Sequence, residues 1–202
     1  MTTSAGRPRG AAVGRPVVTT PGEIEQAAFR LFAAAGFEGT TMAAIAAEVG
    51  VGQRTLFRYY PSKNDIPWGQ FDQTLDSFRQ ILDGTPEDVS LIDAIQQAVL
   101  RFNEYDPDAQ PPHRDRMRLI LRTPALQAHS VLRYADWRAV IATYVARRRG
   151  LAVDDLFPQT VAQVSLSLAL TAYDAWLDHP ETSLAALLDD AMGCLRDYVT
   201  AD

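Results

Sequence analysis

The sequence contains one cysteine and lacks any long apolar run. Cys194 has no second cysteine to pair with, which excludes an internal disulfide framework and a zinc site built from cysteines. No apolar run approaches about 18 residues, so we expect no membrane-spanning helix. The N-terminal segment MTTSAGRPRGAAVGRP has no apolar core of the kind found in signal peptides. These absences favour a cytoplasmic protein without a membrane partner.

Patterns typical of catalysis are also missing. His113 and His129 are isolated and lack the spacing of metal ligands. The sequence has no Ser/His/Asp arrangement and no glycine-rich phosphate loop. We therefore expect no enzyme activity, no metal site and no cofactor.

Charge is distributed unevenly along the chain. Residues 1–63 hold seven basic and four acidic residues, a net charge of +3, so that the remainder carries −9 of the total of −6. This asymmetry points to a polyanionic partner. Residues 1–19 are interpreted as a disordered basic arm containing Arg7, Arg9 and Arg15. An arginine between glycine and proline suits the DNA minor groove, but a solubilising tail would have the same composition.

Helical signals recur throughout the chain, and no segment alternates as a strand does. The predicted fold is all-α, with about nine helices. The capping box Thr20–Glu23 starts the first helix, and Gly36 is expected to end it in a left-handed conformation. The predicted second helix starts at Thr40 or Thr41 and runs through Val49. The remaining predicted ranges are 53–60, 62–82, 88–105, 114–122, 125–149, 158–178 and 181–199. In the range 62–82, Pro67 is expected either to bend the first turn or to move the start of the helix toward Ile66.

Residues 50–52, with the sequence GVG, separate the second and third helices and predict a helix-turn-helix. Leu56 and Tyr60 lie four residues apart and are expected to face the core. The third helix would then expose four polar residues: Gln53, Arg54, Thr55 and Arg58. Glutamine and arginine are suited to base edges in the major groove. Residue types that hold phosphates occur at Thr41, Thr55, Tyr59 and Lys63. Solvated arginines on an ordinary helical protein would give the same pattern.

The segment VAQVSLSLALTAYDAWL, residues 161–177, mixes small and apolar residues on most sides of a helix. A helix of this kind is buried on most sides. It is either a dimer interface or a core helix of a single chain. The candidate interface residues are Val164, Leu168, Ala172 and Trp176.

The segment AAFRLFAAAGFEGTTMAAIAAEVGVGQRTLFRYYPSKNDI, residues 27–66, resembles the DNA-binding head of the TetR family of bacterial repressors. The family pattern usually has Tyr where Phe57 stands and Phe where Tyr60 stands, so Phe57 is not taken as a DNA contact. The resemblance implies a helix-turn-helix domain at 20–63 and an effector-binding and dimerisation domain at 64–202. It also implies a homodimer on operator DNA, with the last two helices pairing in a four-helix bundle.

Three further motifs, YYPSKNDIPWGQFD, HRDRMRLIL and PALQAHSVLRYADWR, resemble TetR-type regulators of mycofactocin gene clusters. The narrower resemblance implies a small-molecule effector, specifically a long-chain acyl-CoA. The implied apolar wall contains Trp68, Phe71, Leu75, Phe78, Met117, Ile120, Leu121 and Tyr173. An apolar stripe of this kind is more often plain core. Arg114, Arg118 and Arg122 share one helix face and are expected to meet the phosphates of the ligand, or else to be solvated or ion-paired. A helical binding or scaffold protein with a vestigial DNA-binding head is the alternative function.

Overall fold

The structure is a computed structural model and describes residues 19–179 and 181–201. Within these ranges the chain forms nine α-helices, one short 3-10 segment and no strand, which confirms the all-α prediction. The helices are α1 Pro21–Gly39, α2 Met42–Glu48, α3 Gln53–Tyr59, α4 Phe71–Asp83, α5 Leu91–Phe102, α6 His113–Arg122, α7 Pro124–Arg149, α8 Leu156–Asp178 and α9 Leu184–Thr200. The 3-10 segment is Lys63–Trp68. No helix in the described ranges is long and apolar enough to cross a membrane.

The start of α1 follows the predicted capping box. The Thr20 hydroxyl accepts a hydrogen bond from the Glu23 backbone N–H, and the Glu23 carboxylate accepts one from the Thr20 backbone N–H at 2.8 Å. Gly36 has the expected positive φ of 76° and interrupts the helical conformation. One further helical turn follows it, and α1 ends at Gly39. The α2 cap is Thr41, whose hydroxyl accepts from the Ala44 N–H.

The predicted fourth helix, 62–82 with a bend at Pro67, is wrong as a single element. The Ser62–Asp65 capping box starts the 3-10 segment instead, and α4 begins only at Phe71. The break lies at Gly69, which has φ 55° and ψ −130°. This conformation is open to glycine but strained for other residues, so the helix cannot continue through it.

Two apolar clusters organise the chain. The head cluster lies between α1, α2 and α3, and its members include Phe32, Ile45 and Leu56. The body cluster lies among α4, α5, α7, α8 and α9. Leu126, at the start of α7, is fully buried in the head cluster, and so is Ile66 of the 3-10 segment. The head therefore packs on residues beyond the predicted boundary at residue 63.

Candidate DNA-binding helix and ligand cavity

The helix-turn-helix positions α3 with one face inward and one face in solvent. Gly50 has φ 72° and allows the chain to turn between α2 and α3. Leu56 and Tyr60 are buried, at 0% and 3% exposure, as their spacing predicted. The outward face carries Gln53, Arg54 and Arg58. Neither arginine forms an ion pair with any residue in the part of the chain that the structure describes.

The residues expected to hold phosphates surround α3, but two of them already donate hydrogen bonds within the chain. Lys63 donates to the carbonyl oxygens of Phe37 at 2.6 Å and Thr40 at 2.9 Å, so its ammonium caps the end of α1. The Tyr59 hydroxyl donates to the Thr19 carbonyl at 2.8 Å. Thr41 is exposed and Thr55 is half-buried. Thr19 is itself buried, although the basic arm was expected to include it. Arg7, Arg9 and Arg15 lie outside the described residues.

Two of the residues expected at a dimer interface are covered by the chain itself. Ala172 and Trp176 are 2% and 3% exposed, because this part of α8 belongs to the body cluster. Little of either side chain is therefore left for a second copy to contact, and their place at a dimer interface stays a prediction. Val164 and Leu168 are half-buried and line an apolar groove of about 560 Å³ that also involves α5 and α9.

A cavity of about 410 Å³ lies between the 3-10 segment, α4, α6, α7 and α8. Its wall is mainly aromatic and aliphatic. Five of the residues predicted to contact a ligand line it: Trp68, Phe71, Met117, Ile120 and Tyr173. Leu75 and Phe78 lie instead in the body cluster behind the cavity, where Phe78 stacks on Trp137 at 5.3 Å between ring centroids. Leu121 packs against the same cluster but does not line the cavity.

The arginines predicted to meet phosphates do not line this cavity. Arg114 lies over the Trp176 ring at 4.1 Å and donates to the Trp176 carbonyl. Arg118 forms an exposed ion pair with Asp115 at 3.1 Å. Arg122 pairs with Asp174 and Asp178 on α8. The ion-paired alternative therefore describes Arg118 and Arg122 in this structure.

A chain of polar groups enters the cavity from α6. The Tyr173 hydroxyl donates to the Asn103 side-chain oxygen at 2.8 Å and lies 3.0 Å from His113 Nε2. Because this hydroxyl proton is used, we infer that His113 donates from Nε2. Burial, and to a smaller extent the positive charge of Arg116, lowers the pKa of His113 to about 4, so the ring is neutral near pH 7. Burial also raises the pKa of Tyr173 above its ordinary value.

Three cavity residues carry features that the sequence analysis missed. Trp68 Nε1 is buried and finds no acceptor among the described residues. Glu25 of α1 and Arg116 of α6 form an ion pair at 2.5 Å whose side chains are 9% and 19% exposed. The sequence does indicate an inward position for Glu25, because this residue lies between Ile24 and Ala27 on the apolar side of α1. Arg116 precedes Ile120 by four residues, which places both on the inward side of α6.

Comparison with known proteins matches both parts of the chain. Residues 24–66 match the profile of the tetR family of bacterial regulatory proteins, and residues 89–200 match that of the MftR C-terminal domain. The chain is 46% identical over 194 residues to a Mycobacterium tuberculosis protein named as mycofactocin biosynthesis transcriptional regulator MftR, covering 96% of each chain. It is 29% identical over 198 residues to the HTH-type transcriptional regulator TcmR of Streptomyces glaucescens, covering 93% of this chain and 88% of that one.

Solved structures share the fold. The fatty acid degradation regulator FadR from Bacillus halodurans superimposes with a TM-score of 0.60 at 17% identity, covering 86% of this chain and 96% of that chain. Thermus thermophilus FadR, a TetR family repressor solved with lauroyl-CoA, gives 0.58 at 20% identity over 88% and 94%. The predicted helix-turn-helix head and helical body are thus confirmed as a fold. The chain belongs to the TetR family of bacterial transcriptional regulators, which are DNA-binding proteins rather than enzymes, and its body is of the MftR type.

Proposed function

We propose that this protein is a homodimeric repressor of mycofactocin biosynthesis genes that leaves its operator when a long-chain acyl-CoA enters the cavity. The gene assignment rests on the name of the Mycobacterium tuberculosis relative. The observation that carries the DNA-binding role is the outward face of α3, where Arg54 and Arg58 are exposed without a carboxylate partner. Such a face is available to a polyanion at little desolvation cost.

Within that face, we assign base reading to Gln53 and Arg54. Phosphate binding falls to Thr41, Thr55, Arg58, Tyr59 and Lys63. Arg54→Ala should weaken operator binding by about 1–3 kcal/mol and relax base preference. Lys63→Ala should weaken binding to all sequences alike and reduce the salt slope by about one. Since Lys63 also caps α1, its variant should lower the melting temperature as well.

An electrophoretic shift with the DNA upstream of the gene tests these roles, with random DNA as the comparison. Arg79→Ala is the matched control, because Arg79 lies on α4 in an exposed ion pair with Asp76. Equal losses on operator and random DNA for both Arg54→Ala and Lys63→Ala would contradict the assignment. The absence of any shift with the unaltered protein would favour the scaffold alternative with a vestigial head.

The homodimer is proposed through the groove beside Val164 and Leu168. Apolar side chains continue this surface at one end of α8 and the facing end of α9, where Leu156 is 84% exposed and Val199 is 68% exposed. Exposed apolar area of this kind is common at protein interfaces. A two-fold dimer would present two α3 helices to successive major grooves, roughly 34–36 Å apart or a multiple of that spacing.

Leu168→Arg should dissociate the dimer, because it would bury an unpaired charge at the interface. Sedimentation at fixed protomer concentration measures this. Thr171→Arg is a useful control, since Thr171 is exposed on α8 and does not line the groove. An unchanged dimer for Leu168→Arg would move the interface elsewhere.

The ligand assignment is supported by the apolar wall of the 410 Å³ cavity, which suits an acyl chain. The phosphates of a bound acyl-CoA would have to replace aspartates as partners of Arg118 and Arg122 and to share Arg114 with the Trp176 carbonyl. Exposed ion pairs contribute little, about 0–1 kcal/mol, so the exchange with Asp115 costs little. Long-chain acyl-CoA and free CoA should be titrated against a preformed protein–DNA complex. Release by the acyl form alone supports the assignment; no release by either, with an unchanged melting temperature, contradicts it.

A further inference from the structure

The Glu25–Arg116 ion pair connects the DNA-binding head to the body and also forms part of the cavity wall. Glu25 lies on α1 in the head, and Arg116 lies on α6 in the body. Both side chains line the 410 Å³ cavity. A molecule that fills this cavity therefore contacts a bond between the two parts of the protein.

The second carboxylate oxygen of Glu25 contacts the end of α3, the helix proposed to bind DNA. Tyr60, which directly follows α3, donates its hydroxyl to Glu25 Oε1 at 2.6 Å. Burial, and then the hydrogen bond to Glu25, raise the pKa of Tyr60, so the hydroxyl keeps its proton and remains a donor. The carboxylate thus holds the end of α3 with one oxygen and Arg116 with the other.

Arg116 also holds the segment that joins head and body. Its Nη1 donates to the Pro67 carbonyl at 2.8 Å, while its Nη2 contacts Glu25. Gly69 packs directly on this pair, since a Cβ there would lie 3.1 Å from both Arg116 Nη1 and Glu25 Oε2. One guanidinium therefore contacts α1, the 3-10 segment and the cavity.

The donors of Arg116 point to the chemistry of a ligand that would sit beside this pair. The Arg116 guanidinium lines the cavity and has only donors. Trp68 also lines the cavity, but its Nε1 is covered by other atoms. Arg116 therefore suits an oxygen acceptor at the end of an apolar molecule.

We propose that Arg116 is the receptor for the acyl oxygen of the ligand, and that binding exchanges Glu25 for this oxygen and so frees the end of α3. This inference rests on the proposed repressor function and specifies how its cavity controls its DNA-binding head. In the DNA-binding state, here called the tethered state, the Glu25–Arg116 pair is intact. In the released state, Arg116 binds the ligand instead. The acyl oxygen belongs either to a thioester or to a free carboxylate, and the experiment separates these two sources.

The exchange predicts opposite effects on the two affinities. In Glu25→Gln, Arg116 loses its charged partner in the tethered state, so that state becomes less favourable relative to the released one. DNA affinity should fall and ligand affinity should rise, because the two are linked through the same equilibrium. A substitution that merely loosens the fold would lower both affinities.

The experiment measures two dissociation constants for each variant of the full chain. DNA binding is followed by fluorescence anisotropy on the segment upstream of the gene, and ligand binding is measured without DNA, using palmitoyl-CoA, palmitate and free CoA as probes. For Glu25→Gln we expect DNA binding to weaken and acyl-probe binding to tighten, each within about 5–150-fold. Arg116→Met should weaken both. Asp76→Asn, in an exposed ion pair of α4, should change neither.

Tyr60→Phe provides a second variant that leaves the ion pair intact and should weaken DNA binding without weakening ligand binding. The proposal is overturned if Glu25→Gln leaves both constants unchanged or moves them in the same direction while its circular dichroism spectrum stays that of the wild type. It is also overturned if neither acyl probe releases the wild-type protein from DNA. Failure of the wild type to bind the upstream DNA at all would instead refute the repressor function. Release by palmitoyl-CoA alone identifies a thioester as the source of the acyl oxygen, and release by palmitate alone identifies a free carboxylate.

Discussion

Gly69→Ala should destabilise the protein through two effects that act at the same position. Gly69 has φ 55° and ψ −130°, a conformation that a residue with a Cβ adopts only at a cost of about 1–3 kcal/mol. The added methyl group would also lie 3.1 Å from Arg116 Nη1 and from Glu25 Oε2, closer than ordinary carbon contacts allow. The ends of the Arg116 and Glu25 side chains would therefore have to shift by a few tenths of an ångström, toward the cavity that both of them line.

The size of the effect can be converted into a melting temperature. For a chain of about 200 residues, 1 kcal/mol shifts the melting temperature by roughly 2–4 °C. A loss of about 2 kcal/mol therefore predicts a decrease of about 4–8 °C. Thermal unfolding followed by circular dichroism measures the decrease, with all variants at the same protomer concentration because dimerisation contributes to apparent stability.

Gly22→Ala is the matched control. Gly22 lies in the first turn of α1, its φ is not positive, and a Cβ there meets nothing within 4 Å. Alanine favours a helix over glycine by up to about 1 kcal/mol, so this variant should be as stable as the wild type or more so. If Gly69→Ala matched Gly22→Ala in melting temperature, the argument from backbone conformation and close contact would be refuted.

Three further predictions test the core, a helix cap and the cavity. Phe78→Ala should cost about 3–5 kcal/mol in urea unfolding, because Phe78 is fully buried and stacked on Trp137; a loss below about 1 kcal/mol would contradict that packing. Thr20→Ala should cost about 1 kcal/mol by removing the α1 capping box, and an unchanged urea midpoint would show that the box contributes nothing. His113 has its pKa lowered to about 4 in the folded chain, so the unfolded chain binds more protons below pH 6.5 and the free energy of unfolding should fall by up to roughly 3 kcal/mol between pH 6.5 and pH 4. His113→Gln should flatten this slope, and an equally steep slope in that variant would assign it to other groups.

The local features of this fold could be predicted because their causes lie within a few residues of sequence. The Thr20–Glu23 capping box involves neighbours three residues apart, and the inward side of α3 follows from Leu56 and Tyr60 at a spacing of four. The same reasoning failed at Gly69. Gly69 lies against Glu25 and Arg116, which are distant in sequence, and helix periodicity contains no information about that contact.

The cavity was predicted in part for a similar reason. Periodicity identified an aromatic stripe on the fourth predicted helix, but it could not divide the stripe between core, as for Phe78, and cavity wall, as for Phe71. It also grouped Arg114, Arg118 and Arg122 on one face without showing that Arg116 is the arginine of α6 that lines the cavity. A helix that is apolar on most sides, as α8 is, has the same sequence signature whether its own chain or a second copy covers it. The burial of Trp176 therefore required the structure.

The connection between head and body limits how a ligand can act on DNA binding. The head is not an independent unit, since Leu126 of α7 completes its apolar cluster, and Asp65 of the 3-10 segment forms an ion pair with Arg133 and a hydrogen bond with His129 of α7. To move a two-state equilibrium from 1:99 to 99:1, a ligand must prefer one state by about 5.5 kcal/mol. Removing one partner of a buried ion pair costs about 3–5 kcal/mol, and this cost opposes ligand binding unless the ligand replaces the lost partner. In the proposed exchange the acyl oxygen takes the place of Glu25 on Arg116 and offsets that cost, while the Leu126 and Asp65 contacts keep the head folded and attached in both states.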